Sequence, residues 1–385
     1  MAVESRAEAA PVQKHTVKTN RIPILRYVAM VLVAVVAFGT AATATAIRIA
    51  EGQISVVDVD EFLGTDRPEE VDNTPKDPSD SHVGESLTIL IMGSDSRDGD
   101  NSTYGVPNQG MRSDTTIIAH ISGDREHLSL TSIPRDSVVD IPECFTTSGK
   151  TTAPYRDQFN HAFATGWDAG GDITSAVACT IRTVETNTKV RIDEFIVVDF
   201  SGFERIVNAL GGVEIDVPTA LRCRKAKLDI EAGAQTLDGT QALAYARARM
   251  CEEGSVTGSD LERIDRQQEL LAATMETAIS KNILTDLNQL YNMGLAATSS
   301  LTTSPGLSTV GSLTGLAYSL RGINADKTHF VTVPNAEWAQ DRNRVIWTAE
   351  ADDLWEAIRR DDPDLYAGFA PDILDDGGSG EVVDD

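Results

Sequence analysis

Positive charge is what this chain has least of. Its 33 Lys and Arg stand against 59 Asp and Glu, for a formal net charge of −26. That excludes a general nucleic-acid binder, whose footprint would be basic. Aromatic residues make up 5% of the chain, too few for a base-stacking platform. Four cysteines in 385 residues exclude a disulfide-built scaffold, although an even count in an exported protein permits two bridges. No internal repeat is evident, and the length fits one large domain or two small ones. On so acidic a background, a local group of arginines marks a pocket for an anion.

Such a group follows three short apolar runs. Leu87-Thr88-Ile89-Leu90-Ile91-Met92 hands over to Gly93-Ser94-Asp95-Ser96-Arg97. Arg112-Ser113-Asp114 leads into Thr115 to Ile121, and Leu128 to Ile133 ends in Pro134-Arg135-Asp136. β-Branched runs of this length bounded by Gly, Pro, Ser and Asp are strand signals. Strands buried on both faces read as near-continuous apolar runs, and ligands sit beyond strand ends. The pattern therefore places Asp95, Arg97, Arg112, Asp114 and Arg135 at the edge of one sheet, a mixture that suits a metal ion and a phosphate.

Residues 1–26 form a polar arm with Arg6, Lys14, Lys18, Arg21 and Arg26, too short for a folded DNA-binding domain. Residues 27–47, Tyr27 to Ile47, carry no charge and match the roughly 20 residues that span a bilayer. The basic flank lies before this run and acidic sequence after it, so the positive-inside rule puts the bulk of the protein outside the cytoplasm. A cleaved signal peptide is the rival, since Ala42-Thr43-Ala44 and Ala44-Thr45-Ala46 fit a cleavage site. The apolar run exceeds a typical signal core, however, and the reading adopted is a single-pass anchor. Residues 48–86 are acidic and carry Pro68, Pro75 and Pro78, as in a solvated spacer. The domain is expected over 87–364 and an acidic, disordered tail over 365–385.

Within the domain, helices are expected over Asn160 to Thr165, Ile173 to Thr186, Ser201 to Leu210, Leu261 to about Ile279 and Ala349 to Arg360. Strands are expected at Glu194 to Phe200, Val213 to Val217 and His329 to Val333. This alternation predicts an α/β fold: a single α/β/α layered domain with a central mixed β-sheet. Asp238 can cap a helix leading into Tyr245-Ala246-Arg247-Ala248-Arg249. On a helix Arg247 and Arg249 point apart, whereas on extended chain they share a face, so joint action needs the helix to stop near Tyr245. Arg263, Arg266 and Gln267 lie on neighbouring helix faces. Gln268 aligns instead with the apolar stripe of Leu261, Ile264 and Leu271 as a buried structural amide, which leaves Gln267 as the candidate for ligand contact.

In order, the chain reads G-S-D-S-R (Gly93–Arg97), R-S-D-T (Arg112–Thr115), S-I-P-R-D (Ser132–Asp136) and V-D-F-S-G-F (Val198–Phe203). It continues with G-G-V (Gly211–Val213), L-D-G-T-Q-A-L-A-Y-A-R-A-R (Leu237–Arg249) and R-I-D-R-Q-Q (Arg263–Gln268). Each segment alone is weak, but the ordered set resembles a LytR-CpsA-Psr domain over roughly Leu87 to Asp364. The resemblance implies an enzyme that transfers a glycopolymer phosphate from a polyprenyl pyrophosphate carrier to peptidoglycan. It implies Mg²⁺, or Mn²⁺ in its place, on Asp95 and Asp114. It also implies pyrophosphate contacts from Arg97, Arg112, Arg135, Arg247, Arg249 and Gln267, with Asp95, Arg97 and Arg135 in the catalytic set. The family's K-I-N-x-A-Y segment appears as Gln158-Phe159-Asn160-His161-Ala162-Phe163. Gln158 thus stands where the family has lysine, with Lys150 or Arg156 as a substitute cation.

The chemistry fits the residues independently of the family. Guanidinium forks pair with phosphate oxygens two bonds at a time. Mg²⁺ takes one or two protein carboxylates and leaves the rest to water and phosphate. Phosphoryl transfer needs positioning and charge neutralisation more than covalent help. Asp95 and a metal-bound water are the two candidates for taking the acceptor proton. A polyprenyl chain needs an apolar channel, which helices around Val177, Ile206, Leu271 and Met275 would line if these were not core. Hydrolysis of the lipid carrier would use the same residues with water as acceptor. A membrane-bound transcriptional regulator lacks a cytoplasmic reader beyond the short arm. Cys144 follows the S-I-P-R-D loop and Cys179 lies on the next helix, while Cys223 and Cys251 bracket the helix and arginine pair. Cys144–Cys179 and Cys223–Cys251 disulfides are therefore expected, since a metal site lacks Cys-x-x-Cys spacing.

Overall fold

The structure is a computed structural model that describes residues 54–69, 84–94, 111–249, 251–252, 254, 260–281, 283, 285–297, 301–323 and 325–370. The chain contributes β1 (Ser55–Val56), β2 (Leu87–Ser94), β3 (Ser113–Ile121) and β4 (Leu128–Ile133). The hairpin β5 (Val138–Ile141) and β6 (Tyr155–Gln158) leads to α1 (His161–Gly170), α2 (Ile173–Thr188), β7 (Glu194–Val198) and α3 (Phe200–Ala209). Next come β8 (Val213–Val217), β9 (Leu221–Cys223), β10 (Leu228–Ile230), β11 (Gly233–Leu237), α4 (Gly239–Arg247), α5 (Asp260–Ser280) and α6 (Leu287–Ala297). The order ends with β12 (Leu301–Thr303), α7 (Val310–Ser319), β13 (Thr328–Thr332), the hairpin β14 (Asn335–Trp338) and β15 (Asp341–Trp347), α8 (Glu350–Arg359) and α9 (Pro363–Ala367).

Seven strands form the central sheet in the order β1-β12-β7-β2-β3-β4-β13. β2 runs parallel to β7 and antiparallel to β3, and β4 runs antiparallel to β3 and parallel to β13, so the sheet is mixed. Side chains alternate between its faces. Leu90, Met92, Ile118, Phe195 and Val331 pack with Phe163, Val177, Ile181 and Trp355 on one side. Leu87, Ile89, Ile117, Ala119 and Leu130 pack with Leu307 and Leu316 on the other. Burial on both faces is why these strands read as unbroken apolar runs. A separate core of Val213, Ile215, Val217, Leu221, Leu237 and Tyr245 joins the short hairpins to α4 and α5.

Local chemistry fixes the helix ends. Asp172 caps α2 by accepting from the Ser175 amide, and Asp238 and Gln241 form a reciprocal capping box at α4, which satisfies orphan amide donors. α1 and α2 cross so closely that a Cβ on Gly166 would lie 2.1 Å from the Ser175 carbonyl oxygen.

The fold takes in residues on both sides of the Leu87–Asp364 span. β1 pairs with β12, Ile54, Val57, Val59 and Leu63 are buried, and Arg67 meets the buried Glu185 carboxylate at 2.8 Å. Residues 54–69 of the expected spacer are therefore part of the domain. Their few scattered apolar groups carry too little periodicity to be read as an element. Past Asp364, Tyr366 is fully buried with its hydroxyl 2.7 Å from Thr131 Oγ1, so the expected tail begins later. The Gly/Ser/Thr-rich stretch after Thr298 holds β12 and the start of α7. The expected anchor, Tyr27 to Ile47, lies outside the described residues, among which no helix is long and apolar enough to cross a membrane.

Both expected disulfides are formed, Cys144–Cys179 and Cys223–Cys251. Each should stabilise by about 2–4 kcal/mol, as cross-links closing loops of this kind do. Non-reducing peptide mapping should recover these two pairs, and thermal melts should fall on reduction. Titratable thiols in the unreduced, folded protein would refute the pairing.

Candidate anion-binding site at the sheet edge

β2 ends, β3 begins and β4 ends at the same edge of the sheet, since Gly93 pairs with Thr115 and Ile133 with Thr116. A bulge between Gly93 and Ser94 sets Ser94 opposite Ser113. That register is what brings Asp114 and Arg135 together. Arg135 Nη1 donates to Asp114 Oδ1 at 2.9 Å, and Arg135 Nε lies 3.5 Å from Asp136 Oδ2. Arg249 Nη2 stands 3.9 Å from Asp114 Oδ2. Arg263, 4% exposed, donates to the Asp114 backbone oxygen at 3.2 Å. Burial would push the Asp114 pKa up, but Arg135, Arg263 and Arg249 outweigh it and hold the carboxyl below its ordinary value. A half-buried carboxylate thus stays ionised among three guanidinium groups.

The R-I-D-R-Q-Q segment on α5 holds these walls in place. Arg266 donates to the Ala248 carbonyl oxygen. Gln267 accepts from Thr115 Oγ1 at 3.2 Å and donates to the Ala246 oxygen at 3.4 Å. Gln268, 7% exposed, donates to Ser132 Oγ and Thr332 Oγ1 at 3.0 and 3.1 Å, the buried structural amide expected of it. Gln267, the candidate for ligand contact, is partly exposed, and its amide spans β3 and the end of α4.

α4 runs on to Arg247, and Ala248 then leaves the helix at φ −59, ψ 128. The two arginines meet different neighbours. Arg247 stacks over Phe200 at 4.2 Å from the ring centroid, while Arg249 faces Asp114. Arg112 is exposed just before β3. Asp95 and Arg97 lie outside the described residues. Gln158, in the lysine position, donates to Asp136 Oδ1 at 2.9 Å and so joins the Arg135–Asp136 pair. Of the two substitute cations, Arg156 lies 3.9 Å from Asp140 on an exposed strand face, and Lys150 is exposed. Sequence reasoning did not place Arg263 at Asp114; its i, i+4 relation to Gln267 was the available signal.

Comparison with known proteins places this geometry in a family. The LytR_cpsA_psr family model matches residues 48–360. The chain is a LytR-CpsA-Psr protein. Relatives include the probable cell wall biosynthesis protein LcpB of Corynebacterium glutamicum, 32% identical over 75% of this chain and 64% of its own. Another is the polyisoprenyl-teichoic acid–peptidoglycan teichoic acid transferase TagT of Bacillus subtilis, 28% identical over 62% of this chain and 71% of its own. The LytR-Csp2A-Psr enzyme from Actinomyces oris superposes with a TM-score of 0.53 at 21% identity, covering 76% of this chain and 96% of that one. B. subtilis TagV does so with a TM-score of 0.53 at 23% identity, covering 75% and 99%. These two structures share the fold.

The Asp114 environment generates a pH prediction. A carboxyl whose folded pKa is depressed contributes stability that is fully present above its unfolded value, about 4, and is lost as pH falls through the folded one. Denaturant unfolding of wild type and Asp114→Asn should therefore differ most near pH 7. The gap should shrink progressively from about pH 5 to about pH 2. A gap that is constant across this window would show that Asp114 is not ion-paired in the folded protein.

Proposed function

We propose that this protein transfers a glycopolymer phosphate from a polyprenyl pyrophosphate carrier to peptidoglycan. The observation that carries the reading is the Asp114, Arg135, Arg249 and Arg263 cluster at the sheet edge of a chain with net charge −26. Relatives named as teichoic acid–peptidoglycan transferases and as a cell wall biosynthesis protein support it. In the transfer, the acceptor hydroxyl oxygen bonds to the phosphorus that carries the polymer. The bond from that phosphorus to the bridging oxygen breaks, polyprenyl phosphate leaves, and the hydroxyl proton passes to a base, for which Asp95 is the candidate on the chain. Arg135 and Arg249 neutralise the charge that grows on the leaving phosphate, assisted by Arg97, Arg112 and Arg247.

Mg²⁺, or Mn²⁺, on Asp95 and Asp114 belongs to the same proposal. Asp114 suits it: the carboxylate is held ionised and half-buried, and Mg²⁺ needs only one or two protein carboxylates. Among the described residues no group of three or more His, Cys, Asp or Glu forms a protein-only metal cage, so water and phosphate would complete the shell. When bound, the ion would supply further neutralisation of phosphate charge. For the lipid, Ile91, Ile196, Leu271, Met275 and Leu313 are half-buried on one sheet face beside α5 and α7, a surface suited to a polyprenyl chain. Val177 lies in the core on the opposite face, and Ile206 is half-buried on α3. Two disulfides fit an oxidising, extracytoplasmic compartment and an anchor at Tyr27 to Ile47.

Full-length protein in vesicles, given polyprenyl pyrophosphate-linked glycan and peptidoglycan, should place polymer on the peptidoglycan. Polymer phosphate released at the same rate without peptidoglycan would identify a hydrolase instead. Excess chelator should abolish transfer, and full activity in its presence would remove the metal. Arg249→Ala should cut turnover by roughly 10²–10³, with stability changed by no more than about 1 kcal/mol for so exposed a pair. Arg249→Lys should rescue little, because an ammonium lacks the two-pronged geometry. A melting temperature that falls enough to account for the lost turnover would make Arg249 structural.

A further inference from the structure

A row of partly to fully exposed groups leads away from the sheet edge along β6 and onto the β14–β15 hairpin, and nothing in the transfer chemistry uses it. At its inner end Gln158 bonds Asp136, the neighbour of Arg135. Next, Asp157 accepts from Arg344 Nη1 at 2.6 Å and lies 3.0 Å from His161 Nδ1. Arg344 in turn stands 6.0 Å from the centre of the Trp338 ring. Tyr155 shares the strand face of Asp157 by the two-residue alternation and is 38% exposed. Arg342 shares the face of Arg344 by the same rule and is exposed. The hairpin is fastened to the edge: the Val345 amide donates to the Asp136 oxygen at 3.2 Å, and Trp347 Nε1 donates to Ser137 Oγ at 3.1 Å.

The composition of this row is that of a sugar-binding surface. Aromatic faces stack on the C–H faces of pyranose rings, and Tyr and Trp add a polar edge. Planar carboxylate and guanidinium groups exchange paired hydrogen bonds with hydroxyl, amide and carboxylate groups. Asp157 is already held between Arg344 and His161, so the polar part is ordered before anything binds, which lowers the entropic cost of binding. In a chain with 5% aromatics, Tyr155 is the one aromatic among the exposed large hydrophobics of the described residues. Arg342 adds positive charge at the rim of an otherwise acidic protein, complementary to an acidic glycan.

We propose that this row is the acceptor subsite, which takes a glycan strand of N-acetylated amino sugars bearing carboxylates and delivers one of its hydroxyls to the Arg135 edge. The identity of the glycan as peptidoglycan rests on the transferase reading. The test uses full-length protein with purified peptidoglycan sacculi, sedimented to measure binding, and a separate measurement of affinity for polyprenyl pyrophosphate-linked glycan. Tyr155→Ala and Trp338→Ala should each weaken sacculus binding by about threefold to tenfold, the range expected for one aromatic contact. Carrier affinity should be unchanged, and in the transfer assay the acceptor KM should rise while the carrier KM holds. Tyr155→Phe and Trp338→Phe should restore most of the binding. Arg342→Glu, at an exposed position, should also weaken it, and this variant carries the test should an alanine variant fail to fold. Sacculus binding unchanged in Arg342→Glu and in the folded alanine variants, or lost in equal proportion with carrier affinity, overturns the subsite. Wild type that binds sacculi through these residues yet transfers nothing overturns the transferase reading and leaves the subsite standing. Transfer with an unmoved acceptor KM does the reverse.

Discussion

The basic edge of this sheet is organised around the carboxylate of Asp114. Arg135, Arg249 and Arg263 gather around Asp114, which accepts from the first, faces the second and offers its backbone oxygen to the third, while Asp136 also faces Arg135. Guanidinium groups cannot shed charge by losing a proton. Gathered around one carboxylate they repel one another, and a counter-charge has to be built in. Asp114 supplies it while remaining partly open to solvent, with side-chain exposure of 39%. In the proposed reaction, an arriving pyrophosphate would bring its own negative charge, take over that compensation and leave the carboxylate available to a cation. On that proposal, the pairing keeps the arginines gathered until the substrate replaces it.

The second constraint is mechanical and comes from α5. Arg263, Arg266, Gln267 and Gln268 lie within six residues, and at 100° per residue they fan around the helix. Together they reach three walls: β3 through Asp114 and Thr115, the end of α4 through Ala246 and Ala248, and β4 with β13 through Ser132 and Thr332. A run of four polar side chains on a helix that packs on a sheet would ordinarily be costly to bury. Here one or more donors of each side chain meet acceptors on the walls they touch, so part of the desolvation is offset by hydrogen bonds, while Arg266 Nε is buried without one. The same contacts set where α4 ends, and therefore where Arg249 points.

What the sequence revealed follows from which signals are local. Asp114 and Arg135 were legible because long apolar runs locate strand ends, and antiparallel neighbours bring those ends together. Gln268 was legible because it falls on the apolar stripe of its own helix. By contrast, β1 and β12 span two and three residues, too short to show a period, and they join the sheet because neighbours offer them open edges. For Gln267, spacing gives its helix face but not Thr115 and Ala246, which its amide bridges. The Arg344–Asp157 contact joins residues 187 apart in sequence, and such a pairing leaves no trace in either segment. Arg247 and Arg249 show the intermediate case. The sequence posed the right question, where the helix stops, but the answer depended on Arg266 reaching Ala248 from another element.

The overall acidity of the chain acquires a physical role once the site is located. Charges farther apart than about 8 Å are largely screened at physiological ionic strength, so a net charge of −26 does not repel a phosphate already at the sheet edge. It acts instead on where an anionic molecule can settle. Most of the surface discourages contact with polyanionic wall material or an anionic bilayer, whereas the edge carrying Asp114, Arg135 and Arg249 does not. A protein that handles negatively charged polymers gains from binding them in one place and shedding them everywhere else. An acidic body with a small, internally compensated basic edge meets that requirement, because specificity depends on the difference between sites rather than on the strength of any one.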